Sequence, residues 1–443
     1  MTKSEFWLNY ASNLDYAFLS LLISAMVYFI FFRKYIYSIL DPLALHILMS
    51  VCASSVVIFL FQTNLIQSFY FYNFILTQLF FIFGFILVKP LSIRTLMKDN
   101  RKQDLFYGLS AKYLFILAIF LYYISILFTY YINGIPLFME SRLDTFSGGS
   151  GFGIFGRIIP VTMVIITSIS FYNIFFIKKK TYMLEKVVIS SVIINSLLSG
   201  SKSQLLVVFF ILFFVLLFNM RTFNNRLYSI YSKFLKYKWY LMIGSVIAVL
   251  IIINIQASTR FGSDNTMNPL MILIMRLINS GDIFYLAYPD GFINHAATAN
   301  PIEALFSPIL GTFRLISWQD LPDSIGLQLH QLLYKTDLIE GPNTRHNVFG
   351  LFYLGPYMSI LFSFVLGYLT SYFRNKFYFK VSKSVNGMII YILISLNILS
   401  FEIDPVMTIS NLLSIVIVLI PLYVFSKVLE FNQNKKKEIY VGN

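Results

Sequence analysis

The chain has few charged residues, and this scarcity says more about its class than any motif does. Charged side chains make up 12% of its 443 residues, against about a quarter in soluble domains. Hydrophobic residues reach 58% and the mean hydropathy is +0.73. Many apolar runs are as long as a bilayer-spanning helix requires. This composition excludes an ordinary soluble domain and predicts a membrane protein.

Cysteine is nearly absent, because Cys52 is the only one. A single cysteine excludes an intrachain disulfide and a cysteine-rich metal site. The sequence also lacks a His-Glu-x-x-His motif and a catalytic serine motif, and we expect neither a metal nor a cofactor. Its net charge of +14 is distributed as in the cytoplasmic loops of membrane proteins, so nucleic acid is not an expected partner.

The apolar runs predict about eleven transmembrane helices in one all-α polytopic domain that covers residues 1–443. The predicted spans are 16–32, 43–63, 69–88, 113–131, 157–177, 187–200, 204–219, 239–256, 348–372, 387–402 and 405–426. Placing the basic loop 89–112 in the cytoplasm puts 25 basic and 6 acidic residues inside, and 9 basic and 14 acidic residues outside. This asymmetry predicts an outer N-terminus and a cytoplasmic C-terminus.

Six of the twelve arginines fall on the predicted outer side, where positive charge is disfavoured. They are Arg142, Arg157, Arg260, Arg276, Arg314 and Arg345. Any single one is explained by pairing with an outer carboxylate or a lipid phosphate. The set as a whole favours a bound anion, because guanidinium groups form bidentate contacts with phosphate and keep their charge.

The outer segment 257–347 is a large loop of about ninety residues, and a structureless loop of that length is uncommon. Its apolar stretches predict helices that lie on the outer leaflet or dip into it. On a helix through 268–287, Arg276, Asn279 and Asp282 would share one polar stripe.

Two predicted hairpins are short. A helix from Lys186 to Lys202 rises about 24 Å, whereas the hydrocarbon core is about 30 Å thick. The span 387–402 is similarly short. Polar backbone below the membrane surface is tolerated only where it lines protein or water, so both hairpin tips are predicted to form the floor of a cavity open to the outer face. Lys202 then either binds an anion with neighbouring amides or extends to the interface.

Several side chains are candidates for proton transfer. His346 follows Arg345 at the mouth of a predicted span and can titrate near neutrality, although it is equally explained as a satisfied interfacial side chain. Asp282 is a second candidate base. Glu402 and Asp404 could form an acid/base or metal pair, but acidic residues before a proline also cap helices and end turns.

Three local patterns accompany the layout of about eleven spans and one large late outer loop: Ser199-Gly200-Ser201-Lys202-Ser203, Thr259-Arg260-Phe261-Gly262 and Arg345-His346-Asn347-Val348-Phe349-Gly350. In this layout and these patterns, the chain resembles the bacterial Wzy-type O-antigen or capsule polymerases, also called oligosaccharide repeat-unit polymerases. The likeness covers the whole layout. The family often has arginine where this chain has Lys202. Membership would imply a GT-C-like, metal-independent, inverting glycosyltransferase of the bacterial inner membrane.

The resemblance also implies a reaction and its residues. Repeat units carried on undecaprenyl diphosphate are joined on the outer face, and the lipid diphosphate departs. Four arginines would hold that diphosphate: Arg260, Arg276, Arg314 and Arg345. Arg142, Arg157 and Lys202 would bind or steer the lipid-linked substrate, His346 would be the base, and Asp282 its reserve. A flippase and a chain-length regulator are the partners that such an enzyme would have, besides membrane lipids.

Two alternatives remain open on the sequence. A flippase or other transporter of the same lipid-linked sugars would commonly show two related halves, and no internal repeat is visible here. A ligase that moves finished polymer onto lipid A core or protein would share the membrane architecture and the outer histidine. The sequence barely separates the polymerase from this ligase.

Overall fold

A computed structural model describes most of the chain, namely residues 1–38, 40–92, 105–138, 153–177, 181–200, 202–220, 239–240, 243–244, 247, 269–336 and 340–441. Helices dominate these residues, and the sole β-type pairing among them is a bridge between Phe106 and Ser384. The main helices, in chain order, are α1 (Lys3–Ser12), α2 (Leu14–Phe32), α3 (Pro42–Gln62), α4 (Ser68–Ile86), α5 (Leu109–Asn133), α6 (Gly153–Phe176), α7 (Met183–Leu198), α8 (Lys202–Asn219), α9 (Pro269–Ile278), α10 (Asp282–Ala287), α11 (Pro301–Thr312), α12 (Ile325–Tyr334), α13 (His346–Ser371), α14 (Val385–Ile398) and α15 (Pro405–Val441).

Eight helical segments of the described chain are long and apolar enough to cross a membrane. They are Leu14–Phe32, Pro42–Gln62, Ser68–Ile86, Leu109–Phe138, Gly153–Phe176, His346–Lys380, Val385–Glu402 and Pro405–Lys435. Each corresponds to one of the eleven predicted spans, which makes the described chain an all-α multi-pass membrane protein. Of the other three predictions, two fall on α7 and on Gln204–Asn219, which are shorter. The third, 239–256, lies mostly outside the described residues.

The chain divides into two compact units that alternate along the sequence. The first unit consists of Met1–Leu91, Met271–Phe379 and Ser395–Leu413, and the second of Ser92–Leu270, Lys380–Ile394 and Ser414–Asn443. The prediction of a single domain over 1–443 stays a prediction. Arg345 and His346 belong to the first unit.

Local sequence sets the helix starts of the first unit. At α1, Thr2 and Glu5 form a capping box, in which each side chain accepts a hydrogen bond from the other's backbone N–H. At α3, the Asp41 side chain accepts from the Leu43 N–H at 3.0 Å, and Pro42 occupies the first helical position. The α1 helix is then anchored by Phe6, whose ring stacks on Tyr285 at 4.4 Å between centroids.

Helix α13 is broken at Gly355 into two antiparallel parts, α13a (346–354) and α13b (356–371). Gly355 has a φ of 76°, a left-handed value that favours glycine, and Pro356 follows it. The rings of Phe349 and Phe362 lie 5.5 Å apart, whereas residues thirteen apart on a straight helix are separated by about 20 Å. The predicted span 348–372 is therefore wrong as one helix, because the chain reverses direction within it.

Three helix ends or helix interruptions of the first unit meet beside the midpoints of α3 and α4. At the start of α13a, Asn347 bonds to Thr77, which is nine residues from either end of α4. The tip after α14 brings Glu402 to Gln78, the next residue of α4. The third is the 3-10 turn Asn279–Gly281 between α9 and α10. On a helix of this length, the midpoint lies about 13 Å from each end.

Helices α9 and α10 continue one another through the 3-10 turn Asn279–Gly281, so the helix that the sequence predicts over 268–287 is present as the helical segment Met271–Ala287. Gly281 lies against α3 so closely that an added Cβ would come within 2.9 Å of the Ala53 Cα atom, and the Ser280 hydroxyl donates to the Met49 carbonyl at 2.8 Å. The 3-10 turn lies where Gly281 meets α3, a contact that a residue without a side chain permits. The shared polar stripe of Arg276, Asn279 and Asp282 stays a prediction.

Helices α4 and α13b are in backbone contact at two glycines, and this contact can be tested. An added Cβ would lie 2.1 Å from the Phe364 oxygen at Gly84 and 2.0 Å from the Phe81 oxygen at Gly367. We expect Gly367→Ala to lower the free energy of unfolding by about 1–3 kcal/mol and hence the thermal midpoint of the detergent-solubilised protein. Gly244→Ala is the control, since no described residue lies within 4 Å of its added Cβ. Equal midpoints for the two variants would contradict this packing.

Candidate functional site

Arg345 is charged and 1% exposed, and unlike the equally buried Arg374, which pairs with Asp41, it has no ion-pair partner among the described residues. Its Nε donates to the Ser280 carbonyl at 3.1 Å, and its guanidinium carbon lies 6.0 Å from the centre of the Phe284 ring. Neither Nη1 nor Nη2 has a hydrogen-bond partner among the described residues. A buried cation is costly without a counter-charge, so the arrangement has the capacity to bind an anion.

The position of Arg345 adds a second source of positive potential. It directly precedes α13a, and its carbonyl accepts the first helical hydrogen bond, from the Phe349 N–H at 3.0 Å. The first amides of a helix have no partner within the helix, and the helix dipole favours negative charge at this end. The guanidinium group of Arg345 and the N-terminus of α13a therefore lie side by side. Together they are suited to binding a phosphate or a carboxylate.

A hydrogen-bonded network lies next to Arg345. The Asn347 amide donates to the Thr77 hydroxyl at 2.9 Å and to the Gln78 oxygen at 3.3 Å. Gln78 in turn donates to Glu402 Oε1 at 3.0 Å, and the Tyr28 hydroxyl donates to the same oxygen at 3.1 Å. Four elements of the first unit are thus joined around one buried carboxylate.

His346 is completely buried, with its ring 4.8 Å from that of Phe81. Its Nδ1 lies 3.1 Å from the Glu402 carbonyl oxygen. Because a carbonyl can only accept, Nδ1 must carry the proton, and in the neutral ring Nε2 is then the basic nitrogen. The histidine fastens the start of α13a to the tip after α14.

Glu402 and Asp404, which the sequence suggested as an acidic pair, have different roles in the structure. Asp404 Oδ1 accepts from the Met407 N–H at 2.9 Å and so caps α15, in front of Pro405. Burial raises the pKa of Asp404 above its ordinary value, while hydrogen bonds from backbone amides, those of Met407 and Thr344 included, oppose the shift. The helix-cap interpretation of Asp404 is therefore confirmed, whereas Glu402 belongs to the buried network.

No protein-family model, curated protein or solved structure matches this chain. The geometry of the first unit is therefore the basis for any functional argument.

The structure brings three of the predicted site residues together: Arg345, His346 and Asp282. Asp282 is half-buried at the start of α10, two residues after Ser280, and its Oδ1 accepts from the Ile283 N–H at 3.0 Å. It is close enough to Arg345 for their charges to interact.

The other predicted site residues do not form part of this group. Arg276 on α9 and Arg314, which has a left-handed φ of 54°, have exposed side chains. Arg157 belongs to the second unit, where Nη1 donates to the Ser414 hydroxyl at 3.1 Å. Lys202 begins α8 in the same unit. Arg142 and Arg260 lie outside the described residues, so the convergence of several arginines stays a prediction.

Tyr28, Gln78 and Asn347 were not selected from the sequence as site residues. A signal for two of them was present, since an amide in an apolar run is costly and usually has a buried partner. Gln78 is such an amide within span 69–88, and Asn347 directly precedes span 348–372. Tyr28 carried no such signal, because tyrosine is common in apolar helices of this chain, which has 30 tyrosines.

Proposed function

We propose that this protein is a membrane glycosyltransferase that polymerises oligosaccharide repeat units linked to undecaprenyl diphosphate. The observation that carries the proposal is the buried guanidinium of Arg345, whose two terminal nitrogens have no partner among the described residues. A leaving diphosphate is an anion that such a group would bind through two parallel hydrogen bonds. The resemblance to Wzy-type polymerases supplies the substrate class and the inverting, metal-independent reaction.

In this proposal, the acceptor hydroxyl attacks the anomeric carbon of the donor sugar while the bond to the diphosphate breaks. Negative charge then grows on the leaving phosphate oxygen. A cation already fixed in a water-poor site stabilises that charge without having to reorganise. Arg345 and the first amides of α13a are suited to this role, since they are held by the protein before substrate arrives.

We also propose that the site opens to the outer face of the bacterial inner membrane, with an outer N-terminus and a cytoplasmic C-terminus. One contact cluster supports the placement of three loop segments on a common side, which the charge asymmetry predicts to be the cytoplasmic side. Arg374 Nη2 lies 2.5 Å from Asp41 Oδ2, and the Leu91 N–H donates to the Tyr37 hydroxyl at 2.7 Å. Segments in mutual contact must lie on the same side, as the proposal requires.

The test is a reconstitution with one defined substrate. Purified protein in lipid nanodiscs is given a synthetic undecaprenyl-diphosphate-linked repeat unit, and the products are separated by length. A ladder of polymers with released lipid diphosphate is the expected result. Transfer that occurs only when a lipid A core or protein acceptor is added would replace the polymerase with the ligase.

A transporter of the same lipid-linked sugars is the second candidate, and one observation favours it. The ends of interrupted helices meet beside the midpoints of α3 and α4, and transporters commonly bind substrates where broken helices meet near the middle of the membrane. The same protein in vesicles separates the two functions. Movement of labelled lipid-linked unit between leaflets without turnover would favour the transporter.

A further inference from the structure

Glu402 is a buried carboxylate in which one oxygen accepts hydrogen bonds and the other is open. No other described acid of the first unit combines these two features. The side chain is 6% exposed. Its Oε1 accepts from the Tyr28 hydroxyl and from the Gln78 amide. No described residue donates a hydrogen bond to Oε2. The donors on Oε1 hold the carboxylate in place and leave Oε2 available to a ligand.

The same network ties Glu402 to the anion-binding group. Gln78 donates to Glu402 at 3.0 Å and accepts from Asn347 at 3.3 Å, and Asn347 lies two residues after Arg345. The backbone of Glu402 is fixed as well, since its carbonyl accepts from His346 Nδ1 at 3.1 Å. A cation with two open nitrogens and a carboxylate with an open oxygen are therefore held by one short set of contacts.

The alternative bases are less suited to the step. His346 has a basic Nε2 without a hydrogen-bond partner among the described residues, but it is completely buried, whereas Glu402 is 6% exposed. Asp404 caps α15 with its Oδ1. Asp282 accepts a hydrogen bond at the start of its own helix and, unlike Glu402, is not joined to Asn347 through Gln78.

We infer that Glu402 is the catalytic proton acceptor of this site, an inference that rests on the proposed function. In the step, the O–H bond of the acceptor hydroxyl breaks and its proton goes to Glu402 Oε2. The hydroxyl oxygen forms the new bond to the anomeric carbon. The bond from that carbon to the diphosphate breaks, and its electron pair leaves with the diphosphate, next to Arg345. The carboxylate of Glu402 thereby accepts the proton, and the guanidinium of Arg345 stabilises the leaving group.

The experiment compares Glu402→Gln with wild-type protein in nanodiscs, using the synthetic lipid-linked repeat unit as the probe. Affinity for the donor and single-turnover rate are measured separately. We expect the rate to fall at least about 100-fold, since general-base catalysis contributes typically that much or more, while donor affinity changes less than about threefold.

Asp404→Asn is the matched control, because it removes a carboxylate two residues away yet keeps a side chain that caps helices. Its turnover should stay close to wild type. If Glu402→Gln does not fold, Glu402→Asp replaces it: retracting the carboxylate by one methylene should slow turnover at least about tenfold, since misplacement by 1 Å can cost about 100-fold.

The outcomes separate the inference from the function on which it rests. An active wild type with an equally active Glu402→Gln or Glu402→Asp overturns the inference and leaves the polymerase standing. A loss confined to Asp282→Asn, measured alongside, would overturn it in favour of Asp282. A wild-type protein that binds the lipid-linked unit and never forms polymer would overturn both proposals.

Discussion

Arg345→Lys is expected to reduce polymer formation by about 100- to 1,000-fold, the range seen when one preorganised transition-state donor is removed. Lysine keeps the positive charge but lacks the planar fork. It also lacks an Nε group, so the bond to the Ser280 carbonyl that now orients the side chain is lost. Charge alone would still attract the donor, whereas the two parallel bonds to the leaving phosphate would not form. Polymer length and single-turnover rate measure the effect directly.

The control for this substitution is Arg33→Lys, at an exposed arginine just after α2. It makes the same chemical change on the surface and should leave the rate near wild type. A normal ladder from Arg345→Lys would contradict the role proposed for the guanidinium. A loss of donor binding with unchanged rate at saturation would limit Arg345 to binding, because a group that acts on the transition state must change the rate itself.

Long apolar runs made the spans predictable. The predicted span 43–63 corresponds to α3 at Pro42–Gln62, and 387–402 to the segment Val385–Glu402. Hydropathy succeeds in such cases because the bilayer requires both an apolar surface and internal backbone bonding from each crossing segment. The helix starts were readable for a local reason, as Asp41 followed by Pro42 shows.

Chain reversals inside apolar segments were not predictable in the same way. Hydropathy continues unbroken across Gly355, so the segment 348–372 has the composition of one span, although Phe349 and Phe362 pack face to face. The direction taken after the glycine is decided by packing of α13a on α13b, for example of Gly350 against Ser359. A single sequence does not contain that information in its composition.

The same limitation applied to the candidate site. Arg345 stands in a polar stretch of the sequence and was placed at the mouth of a span, but the fold carries it to the level of the α4 midpoint. What the sequence offered was a chemical prediction: an arginine on a segment predicted to lie where positive charge is disfavoured. The network around Glu402 required the fold, since Tyr28, Gln78 and Glu402 are far apart in the chain and meet only through packing of α2, α4 and the tip after α14.

Asp41→Asn is expected to cause the largest loss of stability. Asp41 and Arg374 form an ion pair whose two side chains have 0% exposure, and the guanidinium also lies 4.7 Å from the centre of the Tyr37 ring. Removing one partner of a buried pair costs about 3–5 kcal/mol, because the other charge stays buried without its counter-charge. Arg374 sits in a π-helical turn, Tyr372–Lys376, and it cannot reach water without unwinding that turn.

The matched comparison is Glu430→Gln, which breaks the ion pair of Glu430 with Lys427 on α15. The Lys427 side chain is 47% exposed, and such surface pairs contribute about 0–1 kcal/mol. Thermal unfolding in detergent should therefore show a large fall in midpoint for Asp41→Asn and a small one for Glu430→Gln. Asparagine still caps α3, so a large fall reports the lost charge and not the lost cap. Similar midpoints for the two variants would mean that another group compensates the charge of Arg374. The contacts between the three predicted cytoplasmic segments would then contribute less to stability than the geometry indicates.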